Sequence, residues 1–135
     1  LETDLQRRLE SGNVPVVVSL HSFTPVMNGF QRPWHVGILW NRDPRLPVPL
    51  MRRLAMEPDL IVGDNEPYSG RDGHGYSIKA HAERKGLAHA LFEIRQDLIA
   101  EESGQARWAD ILHRVLKDVL DDPALHEIRM GEGAA

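Results

Sequence analysis

Two side chains in this sequence have types suited to acid–base or metal chemistry, and each follows or interrupts an apolar segment. His21 comes directly after the run Val14 to Leu20, and Glu93 lies inside the segment Leu91 to Asp97. An imidazole can bind a metal or move a proton near neutral pH. A carboxylate among apolar residues is expensive to bury unless it is paired, binds a metal or has a raised pKa. Two simpler interpretations stay open: His21 as a hydrogen-bonded loop residue, and Glu93 as one half of an ion pair at a strand end.

The elements that must position these residues are short strands. The β-branched run Val14 to Val18 predicts a buried strand with both faces covered. Side chains alternate along a strand, so Glu93, Arg95 and Asp97 should share one face. A third polar cluster, Asp64 to Glu66, follows the predicted strand Leu60 to Gly63. If all three strands run parallel, their polar ends meet at one edge of the sheet.

Strands and helices alternate along the rest of the chain, which predicts an α/β fold with a largely parallel or mixed sheet between helices. No repeat or linker divides the sequence, so residues 1–135 are interpreted as a single unit. The helix with the clearest apolar stripe is Gln105 to Asp121. The other predicted segments are the loop Thr24 to Pro33, the strand His35 to Trp40, the helix Leu46 to Met56, the helix Ser77 to Lys85, the strand Ala88 to Asp97 and a disordered tail, Gly131 to Ala135.

Composition excludes several classes of protein. The net charge is -4 and the basic residues are scattered, so the positive surface expected of a nucleic-acid-binding protein is missing. No apolar run approaches the ~20 residues of a membrane span, and no signal peptide opens the chain. We therefore expect a cytoplasmic protein whose partner is a small molecule or another protein. With no cysteine, only His, Asp and Glu remain as strong metal ligands.

Five motifs follow one another along the chain: Ser19-Leu20-His21-Ser22-Phe23-Thr24-Pro25, Arg32-Pro33-Trp34-His35, Gly63-Asp64-Asn65-Glu66-Pro67-Tyr68-Ser69-Gly70, His81-Ala82-Glu83 and Glu93-Ile94-Arg95-Gln96-Asp97-Leu98-Ile99. Together and in this order they resemble the N-formylglutamate amidohydrolase family. The resemblance spans roughly residues 14 to 120 and concerns the C-terminal half of such an enzyme. It implies the three-layer αβα, phosphorylase/hydrolase-like fold of zinc exopeptidases, here as a partial domain. It also implies a small N-acyl amino acid, such as N-formylglutamate, as the substrate.

The same resemblance implies roles for individual residues. His21 would be a zinc ligand, and Glu93 would be the carboxylate that takes a proton from an activated water. Arg32 or Arg95 would bind the substrate carboxylate through a two-pronged hydrogen bond. The segment Asp64 to Gly70 would face the substrate, with Asn65, Glu66 and Tyr68 as the contacting residues, although a purely structural turn explains this segment almost as well.

The sequence also departs from the family pattern. A catalytic zinc usually has about three protein ligands, and the pattern His-x-x-Glu occurs nowhere in these 135 residues. The possible substitutes, His35, Asp64, Glu66, His81 and His89, have no spacing typical of a metal pair. A missing N-terminal half or a homo-oligomer partner would have to complete the site. The alternatives are a zinc peptidase or amidase for another N-acyl amino acid or peptide, and an inactive half-domain with a binding or structural role.

Overall fold

The computed structural model describes residues 2–71 and 82–130. Helices and strands are both present, but they do not alternate strictly as the sequence predicts, because four strands lie between the first and second helices. The helices are α1 (Glu2–Glu10), α2 (Pro47–Leu54) and α3 (Glu102–Val119), and the strands are β1 (Val17–Phe23), β2 (Val26–Met27), β3 (Phe30–Gln31), β4 (Val36–Leu39), β5 (Val62–Asp64) and β6 (His89–Arg95). Two 3₁₀ helices, Gln96–Ile99 and Pro123–His126, follow β6 and α3.

Four of the strands form one mixed sheet in the order β1-β6-β4-β5. β1 and β6 are parallel, β4 and β5 are parallel, and β4 runs antiparallel to β6. The prediction of an α/β fold with a mixed, mostly parallel sheet is confirmed. The third layer and the relation to zinc exopeptidases stay predictions.

One face of the sheet packs against α2 and α3 and forms the main core. β6 contributes Ala90, Phe92 and Ile94, which point to this face because side chains alternate along the strand. The apolar stripe of α3 packs onto them, as the sequence predicts for this helix. The buried residues of that stripe are Trp108, Ile111, Val115 and Val119.

The opposite face has a smaller apolar cluster near the start of β1. Val17, Ala82 and Leu87 are buried there, and Leu9 of α1 and Val14 pack against them. Most of the remaining odd-numbered positions of β1 and β6 lie on this face, among them the two residues singled out by the sequence.

The prediction that the first strand is buried on both faces is wrong. β1 begins at Val17 rather than Val14, and in the sheet as described it is an edge strand. Val18 and Leu20 are 38% and 57% exposed, respectively. A run of β-branched residues indicates a strand, but it does not show whether a neighbouring strand is present on each side.

The prediction that the three polar strand ends meet at one edge is also wrong for β5. β5 runs antiparallel to β1 and β6. The carboxyl end of β5, at Asp64, therefore points away from the side of the sheet at which β1 and β6 end. The direction of a strand depends on its connections and not on its residue pattern.

The bounds of several elements differ from the predicted ones by a few residues. α2 is shorter than the predicted helix Leu46 to Met56, and the predicted strand Ala88 to Asp97 gives way to a 3₁₀ helix at Gln96. The predicted loop Thr24 to Pro33 contains the β2–β3 hairpin, whose turn residues Asn28 and Gly29 both have positive φ.

Parts of three further predictions lie outside the described residues: most of the helix Ser77 to Lys85, His81, and the tail Gly131 to Ala135. Within the described ranges, no helix combines the length and apolar character needed to cross a membrane.

Candidate functional site

The sheet brings His21 and Glu93 side by side. The two residues are register partners in the parallel pair of β1 and β6. Partners on adjacent strands direct their side chains to the same face, and adjacent strands lie about 4.8 Å apart. The imidazole and the carboxylate therefore occupy neighbouring positions on the face opposite α2 and α3.

Glu93 is a buried carboxylate to which no side chain among the described residues donates a hydrogen bond. Only 4% of the residue is exposed, and its Oε1 atom has no hydrogen-bond partner in the part of the chain that the structure describes. Burial raises the pKa of Glu93 from 4.5 to about 7, and the positive charge of Arg32 opposes this rise only in part. The alternative that Glu93 forms an ion pair at a strand end finds no support among the described residues.

His21 is exposed and lies within β1, not in a loop. Its ring makes no hydrogen bond to any described residue, so the interpretation as a hydrogen-bonded loop residue is wrong.

Two glycines in β4 and β5 leave room for a loop next to Glu93, on the side of β6 opposite His21. Gly37 of β4 is the register partner of Glu93, and Gly63 of β5 is the partner of Gly37. A Cβ atom at Gly37 would collide with the backbone carbonyl of Glu66, and one at Gly63 would lie 2.7 Å from the same oxygen. The loop that follows β5 therefore turns back over the sheet and lies directly on both glycines.

The side chains at the start of this loop hold its shape. Asn65 has a positive φ of 55°, and its Oδ1 accepts hydrogen bonds from the backbone N–H groups of Trp40 at 2.8 Å and Gly70 at 3.0 Å. Asp64 accepts a hydrogen bond of 2.7 Å from the indole N–H of Trp40. Asn65 and Asp64 thus stabilise the turn, as the structural alternative predicts. A substrate contact from Asn65 or from the exposed Glu66 side chain stays a prediction.

The loop brings Tyr68 to Arg32. The Tyr68 hydroxyl lies 3.1 Å from an Arg32 nitrogen, and the guanidinium stacks between the rings of Phe23 and Tyr68, at 5.6 and 5.1 Å from their centroids. Arg32 also donates to both oxygens of Thr24 and to the sulfur of Met27. Its buried charge is thus fixed close to the site.

Arg95 has a different arrangement. It forms a two-pronged pair with Asp97, at 2.7 and 3.1 Å, and its third nitrogen donates to the backbone carbonyl of Arg32 at 3.2 Å. The hydrogen bond from Arg95 lowers the pKa of Asp97. An open cavity of about 360 Å³ lies between Arg32 and Arg95, and Asp97 lines it as well.

The other possible metal ligands lie elsewhere or serve other contacts. His35 Nδ1 accepts a hydrogen bond of 2.8 Å from the backbone of Ile61, and burial, followed by the charge of Arg95, lowers its pKa. His89 lies four residues before Glu93 on β6, and its Nδ1 contacts the carbonyl of Leu87 at 2.9 Å.

These positions allow a test of whether the residues fit a zinc ion. Among residues 2–71 and 82–130, no group of three or more His, Asp or Glu side chains is placed to hold a metal. His21 is a suitable donor, but even counted together with its neighbour Glu93 it leaves fewer donors than a catalytic zinc site requires. The described residues do not make up a zinc site by themselves.

Residue patterns alone did not indicate the contribution of Gly37 and Gly63. A signal was available, because glycine inside a strand often marks the close approach of another backbone segment. Which segment approaches depends on the fold and could not be inferred from the strand itself.

Together these observations define an α/β protein whose sheet carries a candidate acid–base site. A family model described as N-formylglutamate amidohydrolase matches residues 1–100, and the chain belongs to this family. It is also similar to the crystal structure of a gene product from Agrobacterium tumefaciens, with 36% sequence identity and a TM-score of 0.83. The match covers 89% of this chain and 48% of the Agrobacterium chain, so this chain corresponds to about half of that protein. None of the curated proteins compared with the chain matches it.

Proposed function

We propose that this chain carries the acid–base part of an amidohydrolase site that removes the formyl group from an N-formyl amino acid such as N-formylglutamate. The products would be formate and the free amino acid. Membership of the N-formylglutamate amidohydrolase family supports the reaction class. The observation that carries the proposal is the state of Glu93, which is buried, has an oxygen without a hydrogen-bond partner in residues 2–71 and 82–130, and has a pKa raised to about 7.

A carboxyl group with this pKa suits proton transfer at neutral pH. The protonated and ionised forms have similar populations near pH 7, so the group can both accept and return a proton. The ionised Glu93 takes a proton from a water molecule while the water oxygen adds to the formyl carbon. The carbon–nitrogen bond then breaks, and the protonated Glu93 returns the proton to the leaving nitrogen.

Recognition of the substrate carboxylate is proposed for Arg32 in preference to Arg95. Arg95 is already engaged by both oxygens of Asp97, which a substrate would have to displace. One Arg32 nitrogen contacts the sulfur of Met27, which is a weak acceptor and is readily replaced by a carboxylate oxygen. The cavity of about 360 Å³ beside Arg32 gives a small amino acid access to this nitrogen.

Zinc dependence is a further part of the proposal, with His21 as a ligand. It is supported by the open imidazole beside Glu93 and needs donors beyond those described. Zinc content measured by mass spectrometry tests it without an activity assay: His21→Ala should lose bound zinc, and Glu93→Gln should retain it. Equal zinc content in the wild type and His21→Ala would exclude His21 as a ligand.

A second candidate is a binding role without catalysis. The observation in its favour is that the described residues lack a group of three metal-binding side chains. Such a protein would bind an N-acyl amino acid near Arg32 without releasing formate.

Formate release from N-formylglutamate separates the two candidates. The assay would use the chain itself and a chimera in which this chain replaces the matched part of the Agrobacterium protein. Glu93→Gln should lower turnover by about 10²- to 10⁴-fold, the usual contribution of a general base. Glu101→Gln, an exposed carboxylate near the start of α3, is the matched control and should retain activity. Unchanged turnover in Glu93→Gln would exclude Glu93 as the base, and substrate binding without formate release would support the second candidate.

A further inference from the structure

We propose that Met27 is a site of reversible oxidation and that its sulfoxide captures the guanidinium of Arg32. Because Arg32 is the residue assigned to the substrate carboxylate, the modification would regulate ligand binding at the candidate site. This consequence rests on the proposed function, whereas the capture of Arg32 is a property of the hairpin and can be tested without it.

Met27 lies at an exposed position next to a tight turn. It is the last residue of β2 and pairs with Phe30 of β3, across the turn formed by Asn28 and Gly29. Met27 is 43% exposed, and Phe30 is 59% exposed. Exposure is one of the properties that decide which sulfur-containing side chains are oxidised. A small oxidant dissolved in water can therefore reach this part of the hairpin.

The sulfur of Met27 takes one hydrogen of the Arg32 guanidinium. This sulfur lies 3.2 Å from Nη2 of Arg32, and the same nitrogen lies 3.1 Å from the hydroxyl of Tyr68. The other terminal nitrogen, Nη1, donates to the carbonyl and hydroxyl oxygens of Thr24 at 3.1 and 3.3 Å. A thioether sulfur is a weaker acceptor than these oxygens. The hydrogen directed at Met27 is thus the one that a carboxylate can take most readily.

The oxidation needs an oxidant from solution, and hydrogen peroxide is the simplest case. A lone pair of the Met27 sulfur attacks one oxygen of the peroxide, the O–O bond breaks and a sulfur–oxygen bond forms. The proton of the attacked hydroxyl moves to the departing oxygen, which leaves as water. The sulfur loses two electrons and the peroxide gains them, so the thioether becomes a sulfoxide.

The sulfoxide is a better partner for the guanidinium than the thioether. Its oxygen carries partial negative charge, and a hydrogen bond to it from a cationic donor is charge-assisted. Methionine is unbranched and has three rotatable bonds, so the sulfur can move back until the new oxygen faces Nη2. Arg32 is 7% exposed and is held by Thr24 and Tyr68, so the guanidinium keeps its place. A substrate carboxylate would then have to displace a strong acceptor instead of a weak one.

The other methionines have different surroundings and provide comparisons within the same chain. Met56 is 74% exposed just after α2, and Met130 is 50% exposed near the end of the described chain. Met51 is partly buried against the main core. Among the described contacts, the sulfur to which Arg32 donates is that of Met27. Oxidation of Met56, the most exposed of the four, should therefore leave the candidate site unchanged.

NMR of the Arg32 side chain after treatment with hydrogen peroxide tests the capture. Tandem mass spectrometry would first measure the fraction of each methionine that has gained an oxygen atom. In protein with oxidised Met27, the Nη2 hydrogens of Arg32 should change chemical shift and exchange with water on the order of 10-fold more slowly. Unchanged Arg32 signals after complete oxidation of Met27 would overturn the proposal. An unmodified Met27 in protein whose Met56 is fully oxidised would overturn it as well.

A pair of variants assigns the effect to one sulfur. Met27→Leu has no sulfur at this position, so peroxide should leave its Arg32 signals unchanged. Met56→Leu is the matched control and should show the full response of the wild type. A response in Met27→Leu, or its loss in Met56→Leu, would contradict the assignment. The backbone amide signals of α3 report whether the treated fold is intact, and a loss of their dispersion would overturn the proposal, because oxidation would then act by unfolding the chain.

Enzymatic reduction tests whether the modification is reversible. Methionine sulfoxide reductases restore the thioether, with one enzyme for each sulfoxide epimer. With dithiothreitol as the reductant, the sulfoxide oxygen leaves as water and the dithiol becomes a disulfide. Treatment with both enzymes should return the Arg32 signals to their original positions. Signals that stay in the oxidised position would refute reversibility.

Binding of N-formylglutamate, measured by isothermal titration calorimetry with the chain and with the chimera, tests the consequence for the candidate site. Oxidation of the wild type should weaken the affinity on the order of 10-fold, and the affinity of Met27→Leu should be the same before and after treatment. Equal affinities of the wild type before and after capture of Arg32 would exclude control of binding by Met27. An untreated protein that does not bind N-formylglutamate would contradict the role proposed for Arg32 in recognition. The Arg32 signals would still decide the capture in that case, so the two failures are distinguishable.

Discussion

Two buried carboxylates in this molecule have opposite surroundings. Asp43 is 2% exposed, and both of its oxygens accept hydrogen bonds from Arg45, at distances of 2.8 to 3.1 Å. Arg45 also donates to the backbone carbonyls of Gly86, Ala124 and Glu127, so the pair ties distant segments together. Glu93 is buried to a similar extent, but none of the residues that the structure describes pairs with it in this way.

The pKa values of the two groups move in opposite directions. Burial by itself would raise the pKa of Asp43, but the hydrogen bonds from Arg45 outweigh it and the pKa lies below its usual value. Burial dominates at Glu93 and raises its pKa to about 7. Burial alone therefore does not distinguish a structural carboxylate from a candidate catalytic one, whereas the presence or absence of a cation partner does.

The largest expected effect on stability comes from removing the carboxylate of the buried Asp43–Arg45 pair. Asp43→Ala leaves the Arg45 guanidinium buried without a counter-ion and should lower the free energy of unfolding by about 3–5 kcal/mol. Urea unfolding at pH 7 measures this change. Asp118→Ala removes an exposed partner of Arg53 and should change stability by only about 0–1 kcal/mol. A loss below about 1 kcal/mol in Asp43→Ala would show that the buried pair does not stabilise the fold.

The ionised carboxylate of Glu93, in contrast to that of Asp43, should lower the stability of the folded protein. The folded state binds the Glu93 proton more tightly than the unfolded state, so the stability of the wild type should fall as the pH rises from about 4.5 to about 7. Glu93→Gln cannot ionise and should therefore be more stable than the wild type at pH 8, by up to about 3 kcal/mol, with little difference at pH 4. Unfolding by urea at both pH values gives the comparison. A pH-independent difference between the two proteins would contradict a raised pKa.

A smaller effect is expected from the glycine beneath the loop. A methyl group at Gly37 would collide with the backbone carbonyl of Glu66, so Gly37→Ala should displace the loop and destabilise the protein by about 1–3 kcal/mol. Ser22→Ala, at an exposed position of β1, is the control and should stay within about 0.5 kcal/mol of the wild type. Wild-type stability in Gly37→Ala would mean that the loop does not rest on this strand.

The smallest expected effect concerns the cation that acts on Glu93 from a distance. Arg32→Met removes a positive charge that lowers the pKa of Glu93, so this pKa should rise further, on the order of one unit. An NMR titration of the Glu93 carboxyl carbon follows the change directly. Arg32→Lys keeps a charge and should show a smaller rise, and the exposed Arg52→Met should show none. A lower pKa in Arg32→Met would contradict the assigned influence of this residue.

The sequence predicted the parts of this site that depend on local periodicity. Alternation along β6 placed Glu93 and Arg95 on one face, and the apolar stripe of α3 identified the face that packs in the core. The pairing of His21 with Glu93 needed the strand order as well, since periodicity carries no information about which strands are neighbours.

The remaining features depend on contacts between residues far apart in the chain. The reversed direction of β5, the loop resting on Gly37 and the free edge of β1 all arise from the way the elements assemble. The stacking of Arg32 between Phe23 and Tyr68 is of the same kind, because these side chains come from two loops and a strand. A residue pattern can suggest that a side chain such as Arg32 is functional, but it cannot show which residues surround that side chain in the folded protein.

The reversed direction of β5 has a consequence for how the ligand preference of this fold can change. The loop after β5 crosses the sheet from the side and meets it through backbone contacts at two glycines. Substitutions at its exposed side chains, such as Glu66, can therefore change the surface of the loop while the strand register stays the same. Under the proposed function, selectivity and proton transfer would be encoded in separate segments, which would allow one to diversify while the other is preserved.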